Sequence, residues 1–177
     1  MAEPSSMPLR ISVCGLAELA AQCQADTTHV VSILNPGEAE PEVLARFPDH
    51  AHARLRFHDV SEETAGYLAP RRADIATLLA FGQATALGPS PHVLVHCHFG
   101  ISRSTAAAVI LRTQQRRGAE REAFEWVRRV RPVAWPNSRM IALADAALDR
   151  GGALIAALAW HRREIPAAWA AAVETAP

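Results

Sequence analysis

The 177-residue sequence has no lysine, only three cysteines and no long apolar run. Its 18 basic residues are all arginine, and they are balanced by 18 acidic residues. This zero formal net charge points to neither a nucleic acid nor an anionic membrane as a partner. No stretch approaches the roughly 18 consecutive apolar residues that a transmembrane helix needs. Met1–Pro8 lacks the basic start and apolar run of a signal peptide.

The cysteines, Cys14, Cys23 and Cys97, are odd in number and have no metal-ligand spacing. They therefore predict neither a disulfide framework nor a metal site, and they favour a reducing, cytoplasmic compartment. Cys14 and Cys23 are interpreted as core residues, with a redox-partner role as the alternative.

Half of the residues are hydrophobic and 20% are charged, which is typical of a globular chain. We expect a flexible tail over residues 1–8 and a single domain over residues 9–177, whose last ~25 residues form a helical extension.

Short β-branched or apolar runs alternate with helical patterns in the first half of the chain, and helical patterns accumulate in the second half. This order predicts an α/β fold with a central, mainly parallel sheet flanked by helices. The predicted strands are 9–14, 28–34, 55–60 and 92–96; the predicted helices are 16–23, 72–86, 104–113, 119–129, 138–148, 153–163 and a last piece from Pro166.

The segment Val93–Ala106 carries the chemistry. Cys97 follows a buried strand and precedes a short loop and a helix start, where free amides and the helix dipole form an anion site that also favours a thiolate. Gly100 allows the loop to curl. Arg103, six residues after the cysteine, can bind two oxygens of one anion, and Ser104 brings a hydroxyl near the sulfur. The pattern predicts a nucleophile inside a phosphate site.

His96-Cys97, five further residues and then Arg103-Ser104 together resemble the signature loop of protein tyrosine phosphatases. Gly100–Ser104 resembles that loop in the dual-specificity branch. Val130–Asn137 is similar to the Arg-Pro…Pro-Asn stretch that follows the catalytic helix there. We call residues 97–103 the signature loop.

The resemblance implies a role for each matching residue. Cys97 would attack phosphorus and form a phosphocysteine intermediate. The amides of residues 98–103 and the Arg103 side chain would hold the phosphoryl group. His96 would anchor the loop and help keep the thiol ionised, and Ser104 would ease release of the thiolate. No metal or other cofactor is implied.

The family also needs an aspartate that protonates the leaving oxygen. Asp59, at the end of the predicted strand 55–60, is the first choice. Asp74 is the alternative, although its place at a helix start suits capping. Glu62 and Glu63 are outside candidates.

The other loop side chains belong to the expected substrate site, namely His98, Phe99, Ile101 and Ser102. His98 is expected to face outward, and Phe99 to pack against neighbouring loops. Asn137 is either a helix cap or a residue that places the attacking water. The arginines that alternate with glutamates are interpreted as a solvated helical face; these are Arg112, Arg116, Arg117, Arg121, Arg128, Arg129 and Arg131.

The expected function is hydrolysis of a phosphomonoester, with protein phosphotyrosine as the first substrate and phosphoserine, phosphothreonine or a small phosphomonoester as others. A phosphoinositide is not expected, because His98 and Ile101 offer no fixed cation for further phosphates. Two alternatives are a non-catalytic phosphate-binding module on the same fold and a rhodanese-like sulfurtransferase. Ser104, the Pro-Asn segment and the helical tail argue against the second.

Overall fold

Four strands form one sheet in the computed structural model, which describes residues 9–46, 50–86, 88 and 90–174. The predicted tail at residues 1–8 lies outside the described residues. The strands are β1 (Arg10–Cys14), β2 (His29–Leu34), β3 (Ala51–Arg56) and β4 (His92–His96). The strand order is β1-β4-β2-β3, and every neighbouring pair is parallel. The predicted α/β fold with a parallel sheet is confirmed.

The described residues also form seven helices. None within the described ranges has the length and apolarity needed to cross a bilayer. They are α1 (Leu19–Gln22), α2 (Arg72–Ala86), α3 (Arg103–Gln114), α4 (Glu120–Val130), α5 (Ser138–Ala147), α6 (Ala153–Arg163) and α7 (Ala167–Glu174), with short 3-10 segments at Leu16–Glu18 and Glu42–Arg46.

Two predicted elements differ from the structure. The strand predicted at 55–60 is wrong in its bounds, because β3 ends at Arg56 and Asp59 lies in the following loop. Beyond Arg56 only the Phe57 amide continues the pairing, by donating to the Leu34 carbonyl at 3.1 Å. The helix predicted at 16–23 is a 3-10 turn followed by the single-turn α1.

The two faces of the sheet pack against apolar clusters of different size. On the first, side chains such as Val31, Val93 and Val95 pack in one cluster with apolar residues of α2 to α6. On the second, Val30 and Leu94 form a smaller cluster with α1 and its surroundings. This second face also carries a row of serine and histidine side chains.

Helix α6 belongs to the main core. Leu154, Ala157 and Leu158 are buried in the same cluster as the central strands. The start of α6 is fixed by Asp145, whose carboxylate oxygens accept hydrogen bonds from the amides of Gly152 at 2.7 Å and Leu154 at 2.9 Å. A carboxylate at a helix N-terminus satisfies amides that have no partner within the helix.

The position of α6 predicts a sharp contrast between two neighbouring residues. Leu154→Ala should lower the free energy of unfolding by about 2–5 kcal/mol, because it leaves a cavity in the core. Ile155 is 48% exposed, so Ile155→Ala should change stability by less than about 0.5 kcal/mol. Urea denaturation measures both. Equal effects would contradict the burial of α6.

Candidate active site

The carboxyl ends of the four parallel strands meet at one edge of the sheet, where ligands bind in open α/β folds. Cys97 follows the central strand β4. Asn35 and Phe57 follow β2 and β3, and Gly15 follows β1. The parallel order therefore brings these four chain positions, far apart in sequence, to one place.

Cys97 lies on the floor of this site and is 2% exposed. Its Sγ is 3.1 Å from the Ser104 hydroxyl oxygen, within hydrogen-bond distance for sulfur. Ser104 is the second residue of α3. The sulfur thus sits beside the N-terminus of a helix, where the helix dipole favours negative charge.

The peptide groups of the signature loop are turned with their carbonyls outward. Each carbonyl from residue 98 to residue 102 accepts a hydrogen bond from a group outside the loop, whereas none of the amides of the same peptide planes, those of residues 99–103, donates to another described group. Because a trans peptide is planar and its C=O and N–H point in opposite directions, outward carbonyls leave the amides facing inward. The donors are Leu16 N to His98 O, Arg131 Nη2 to Phe99 O, Arg131 Nε to Gly100 O, Trp135 N to Ile101 O and Asn137 N to Ser102 O.

Gly100 is required at the tightest point of this loop. Its φ is +68°, and a Cβ added there would lie 2.6 Å from the carbonyl carbon of Cys14 and 2.6 Å from the amide nitrogen of Gly15. Both neighbours are backbone atoms and cannot move aside. The expectation that Gly100 lets the loop curl therefore has a steric basis.

Arg103 is 3% exposed and is held from one side only. Its Nη1 donates to Asn35 Oδ1 at 2.9 Å and to the Phe57 carbonyl at 2.8 Å. Its buried Nε has no hydrogen-bond partner within the described part of the chain. A buried donor without a partner is rare, and here it belongs to a guanidinium beside a row of free amides.

Asp59 reaches the signature loop. Its Oδ1 accepts hydrogen bonds from the Ser102 hydroxyl at 2.7 Å and from Asn137 Nδ2 at 2.9 Å, and its Oδ2 lies 3.8 Å from Arg103 Nε. The loop that carries Asp59 is closed at its base, because the amide and ring of His58 both bond to the backbone of Leu68. The carboxylate is thereby placed at the mouth of the site.

Asn137 both caps α5 and supports Asp59. Its Oδ1 accepts from the Met140 amide at 3.0 Å, as the capping interpretation predicts, while Nδ2 donates to Asp59. Two of the other acidic candidates are engaged elsewhere. Asp74 accepts from the Arg71 amide at 2.8 Å, at the start of α2, and the exposed Glu63 pairs with Arg139.

No protein-family model matches this sequence, and no curated protein matches it significantly. Solved structures do match. Human DUSP28 is 22% identical, with a TM-score of 0.57 over 81% of this chain and 94% of that one. The Yvh1 phosphatase domain from Chaetomium thermophilum is 21% identical, with a TM-score of 0.58 over 84% and 96%. PTPMT1 in complex with PI(5)P is 16% identical, with a TM-score of 0.56 over 79% and 90%.

The fold is that of the dual-specificity phosphatases. The resemblance seen in the signature loop thus extends to the arrangement of strands and helices around it.

His96 lies behind the signature loop of this phosphatase fold and is fully buried. Its Nε2 is 2.6 Å from the Ser32 hydroxyl oxygen, which is 2.7 Å from Nε2 of His52. Burial, followed by the neighbouring His52, lowers the pKa of His96 to about 4. His96 is therefore uncharged at neutral pH. It contacts Ser32 of the neighbouring strand β2 and supplies no positive charge to the thiol.

The side chains on the outer surface of the loop differ from one another. His98 lies 3.5 Å from a Glu38 carboxylate oxygen, and Ile101 and Ser102 are half-buried. The expectation that Phe99 packs against neighbouring loops is wrong, since its side chain is 74% exposed.

The solvated-face interpretation is wrong for Arg131. Its side chain is 17% exposed and is bonded to the signature loop and to Glu18. Sequence reasoning also missed Asn35, which holds Arg103 and is itself held by Glu38 at 2.9 and 3.0 Å. The sequence offered a signal for Asn35, because it directly follows a predicted strand, as Cys97 does. None existed for Glu18.

Cys14 and Cys23 are buried members of the smaller apolar cluster, in agreement with their interpretation as core residues. Burial raises the pKa of Cys14 to about 12. Across the described ranges, no three His, Cys, Asp or Glu side chains converge as a metal ion would require.

The buried histidine pair predicts a loss of stability in mild acid. Burial lowers the pKa of His96 and His52 from 6.5 to about 4. The folded state therefore binds fewer protons than the unfolded chain between these values. Stability is fully present above pH 6.5 and falls as the pH drops toward 4, by at most about 1.4 kcal/mol per pH unit for each histidine.

Urea denaturation at pH 7.0, 6.0 and 5.0 measures this slope. His52→Gln should reduce it, since one of the two groups no longer titrates. Equal stability of the parent chain at pH 7.0 and 5.0 would contradict the neutral, buried pair.

Proposed function

We propose that this protein is a cysteine-dependent phosphatase that hydrolyses phosphomonoesters through a phosphocysteine intermediate. The observation that carries the proposal is the buried Arg103 Nε, which has no hydrogen-bond partner among the described residues, next to a loop whose free amides face inward. A phosphoryl group supplies the acceptor oxygens that these donors lack.

In the first step the Cys97 sulfur attacks phosphorus, an S–P bond forms and the bond to the leaving oxygen breaks. Asp59 gives its proton to that oxygen. The proximity of Asp59 to Ser102 and Arg103 supports this role, because both contact residues belong to the signature loop. Asp59 is preferred to Asp74, because the Asp74 carboxylate accepts a hydrogen bond from the Arg71 amide at the start of α2.

In the second step a water attacks phosphorus and passes a proton to Asp59, the S–P bond breaks, and inorganic phosphate leaves. The thiolate that is released can accept a hydrogen bond from Ser104, whose Oγ lies 3.1 Å from the sulfur. Backbone amides and Arg103 hold the transferring group in both steps, so positioning and electrostatics supply most of the catalysis.

A protein phosphotyrosine is the preferred substrate class. PTPMT1 was solved with PI(5)P, but the basic side chains around the present site are already engaged. His98 lies beside Glu38, and Arg131 beside Glu18. Neither is placed to bind the further phosphates of an inositol lipid, which favours a substrate with a single phosphate.

The nucleophile is tested by Cys97→Ser. Hydrolysis of p-nitrophenyl phosphate should be lost, because a serine hydroxyl is a far weaker nucleophile at neutral pH, whereas tungstate binding and the melting temperature should persist. Cys23→Ala is the matched control and should keep its turnover.

Turnover that survives in Cys97→Ser would contradict the proposal. Tungstate binding by the parent chain without any turnover of aryl phosphates would favour the non-catalytic module instead. A thiosulfate sulfurtransferase activity that disappears in the same variant would favour the sulfur carrier.

The general acid is tested by Asp59→Asn. This change should lower kcat by ~100-fold or more for phenyl phosphate, whose leaving oxygen needs a proton, and less for p-nitrophenyl phosphate, whose leaving group is stable as an anion. Glu62→Gln, an exposed neighbour, should leave both rates unchanged. An unaltered dependence on the leaving group in Asp59→Asn would remove Asp59 from this role.

A further inference from the structure

The guanidinium of Arg131 bonds two successive carbonyls of the signature loop. Its Nε donates to the Gly100 carbonyl at 2.9 Å and its Nη2 to the Phe99 carbonyl at 3.0 Å. These are charge-assisted bonds, which are stronger than bonds between neutral groups. Because each peptide is planar, fixing these two carbonyls fixes the directions of the next two amides, those of Gly100 and Ile101.

The two terminal nitrogens of the same guanidinium form an ion pair with the Glu18 carboxylate. Arg131 Nη1 is 2.7 Å from Glu18 Oε1, and Nη2 is 2.7 Å from Oε2. Glu18 also accepts from the Gly15 amide at 2.9 Å. The pair lowers the pKa of Glu18 and raises that of Arg131, so both remain charged at neutral pH.

The Gly15 turn and the signature loop are in close backbone contact. A Cβ on Gly15 would lie 2.8 Å from the carbonyl carbon of Phe99 and 2.9 Å from the carbonyl oxygen of His98. Glu18 therefore holds the turn that packs on the loop and the arginine that bonds the loop. The two interactions join at one carboxylate.

The position of Arg131 is itself fixed by helices. Its amide donates to the Val127 carbonyl at 2.8 Å and ends α4. Further along the segment, the Ala134 carbonyl lies 3.1 Å from Nε2 of the buried His161, and Arg162 lies 4.9 Å from the ring of Trp135. Thus α4 and α6 support the chain that carries this guanidinium.

We propose that Arg131, together with Glu18, is a positioning residue of the phosphate site: it turns the amides of Gly100 and Ile101 toward the oxyanion without touching it. This role rests on the proposed function only insofar as the oxyanion is a phosphoryl group. Binding of any tetrahedral oxyanion in the site requires the same amide directions.

The experiment compares Arg131→Met and Arg131→Lys with Arg129→Met, an exposed arginine at the same end of α4. Arg131→Met should weaken tungstate binding and lower kcat/KM by about 10- to 100-fold, the size expected for lost charge-assisted bonds. Arg131→Lys should recover little, because an ammonium group cannot span two carbonyls and a carboxylate. Arg129→Met should behave as the parent chain.

The dependence on the leaving group separates positioning from acid catalysis. In Arg131→Met the loss should be equal for phenyl phosphate and p-nitrophenyl phosphate, since the variant impairs the binding of the phosphoryl group in both. A larger loss for phenyl phosphate would show an effect on proton transfer and would overturn the proposal. So would parent-like tungstate affinity in Arg131→Met, or full recovery in Arg131→Lys.

Glu18→Gln tests the same pair from the other side and keeps the test decisive should Arg131→Met fail to fold. It should weaken tungstate binding about 3- to 10-fold, and its effect should not add to that of Arg131→Met, because both changes break one contact. Unchanged tungstate affinity in folded Glu18→Gln, or full additivity with Arg131→Met, would overturn the pairing.

Tungstate titrations are repeated in Cys97→Ser, where no turnover is needed. This arm separates the two proposals. A chain that never hydrolyses phosphate esters but loses tungstate affinity with Arg131→Met would contradict the proposed function and support the role of Arg131. Turnover by the parent chain together with parent-like tungstate affinity in Arg131→Met would support the proposed function and contradict the role of Arg131.

Discussion

The chemistry proposed for this protein depends on the direction of five peptide groups. Because the carbonyls of residues 98–102 bond to groups outside the signature loop, the amides of the same peptide planes are left for an anion. Arg103 adds a buried Nε that lacks a hydrogen-bond partner in the described part of the chain, and Cys97 adds a sulfur beside a helix start. Under the proposed function, these orientations form a site for a tetrahedral oxyanion next to the nucleophile Cys97.

The rest of the fold serves to hold that loop. The sheet brings the ends of four strands together, so that Asn35 and the Phe57 carbonyl fix Arg103. Helices α4 and α6 support the segment 131–137, whose groups bond to four of the five outward carbonyls. Helix α6 is therefore connected to the site through the segment 131–137, which contacts His161 and Arg162 of that helix.

Much of this could be predicted from the sequence, because the informative patterns are local. The bounds of α2, β4 and α6 match their predicted ranges, since strong periodicity or turn residues delimit them. The predicted range of strand β3, residues 55–60, begins and ends too late. The first residues of the strand, Ala51 to Arg54, are small or polar, whereas the apolar Phe57 lies beyond its end. Arg131 and Glu18 could not be paired from sequence: they are 113 residues apart, and an arginine among glutamates resembles a solvated helix.

A crystal structure of Cys97→Ser with tungstate tests the orientation of the loop most directly. The account predicts one anion above residue 97, with its oxygens within hydrogen-bond distance of the backbone amides of residues 99–103 and of Arg103 Nε, and with Arg131 still bonded to the carbonyls of Phe99 and Gly100. An anion bound elsewhere, or loop carbonyls turned toward the anion, would contradict it.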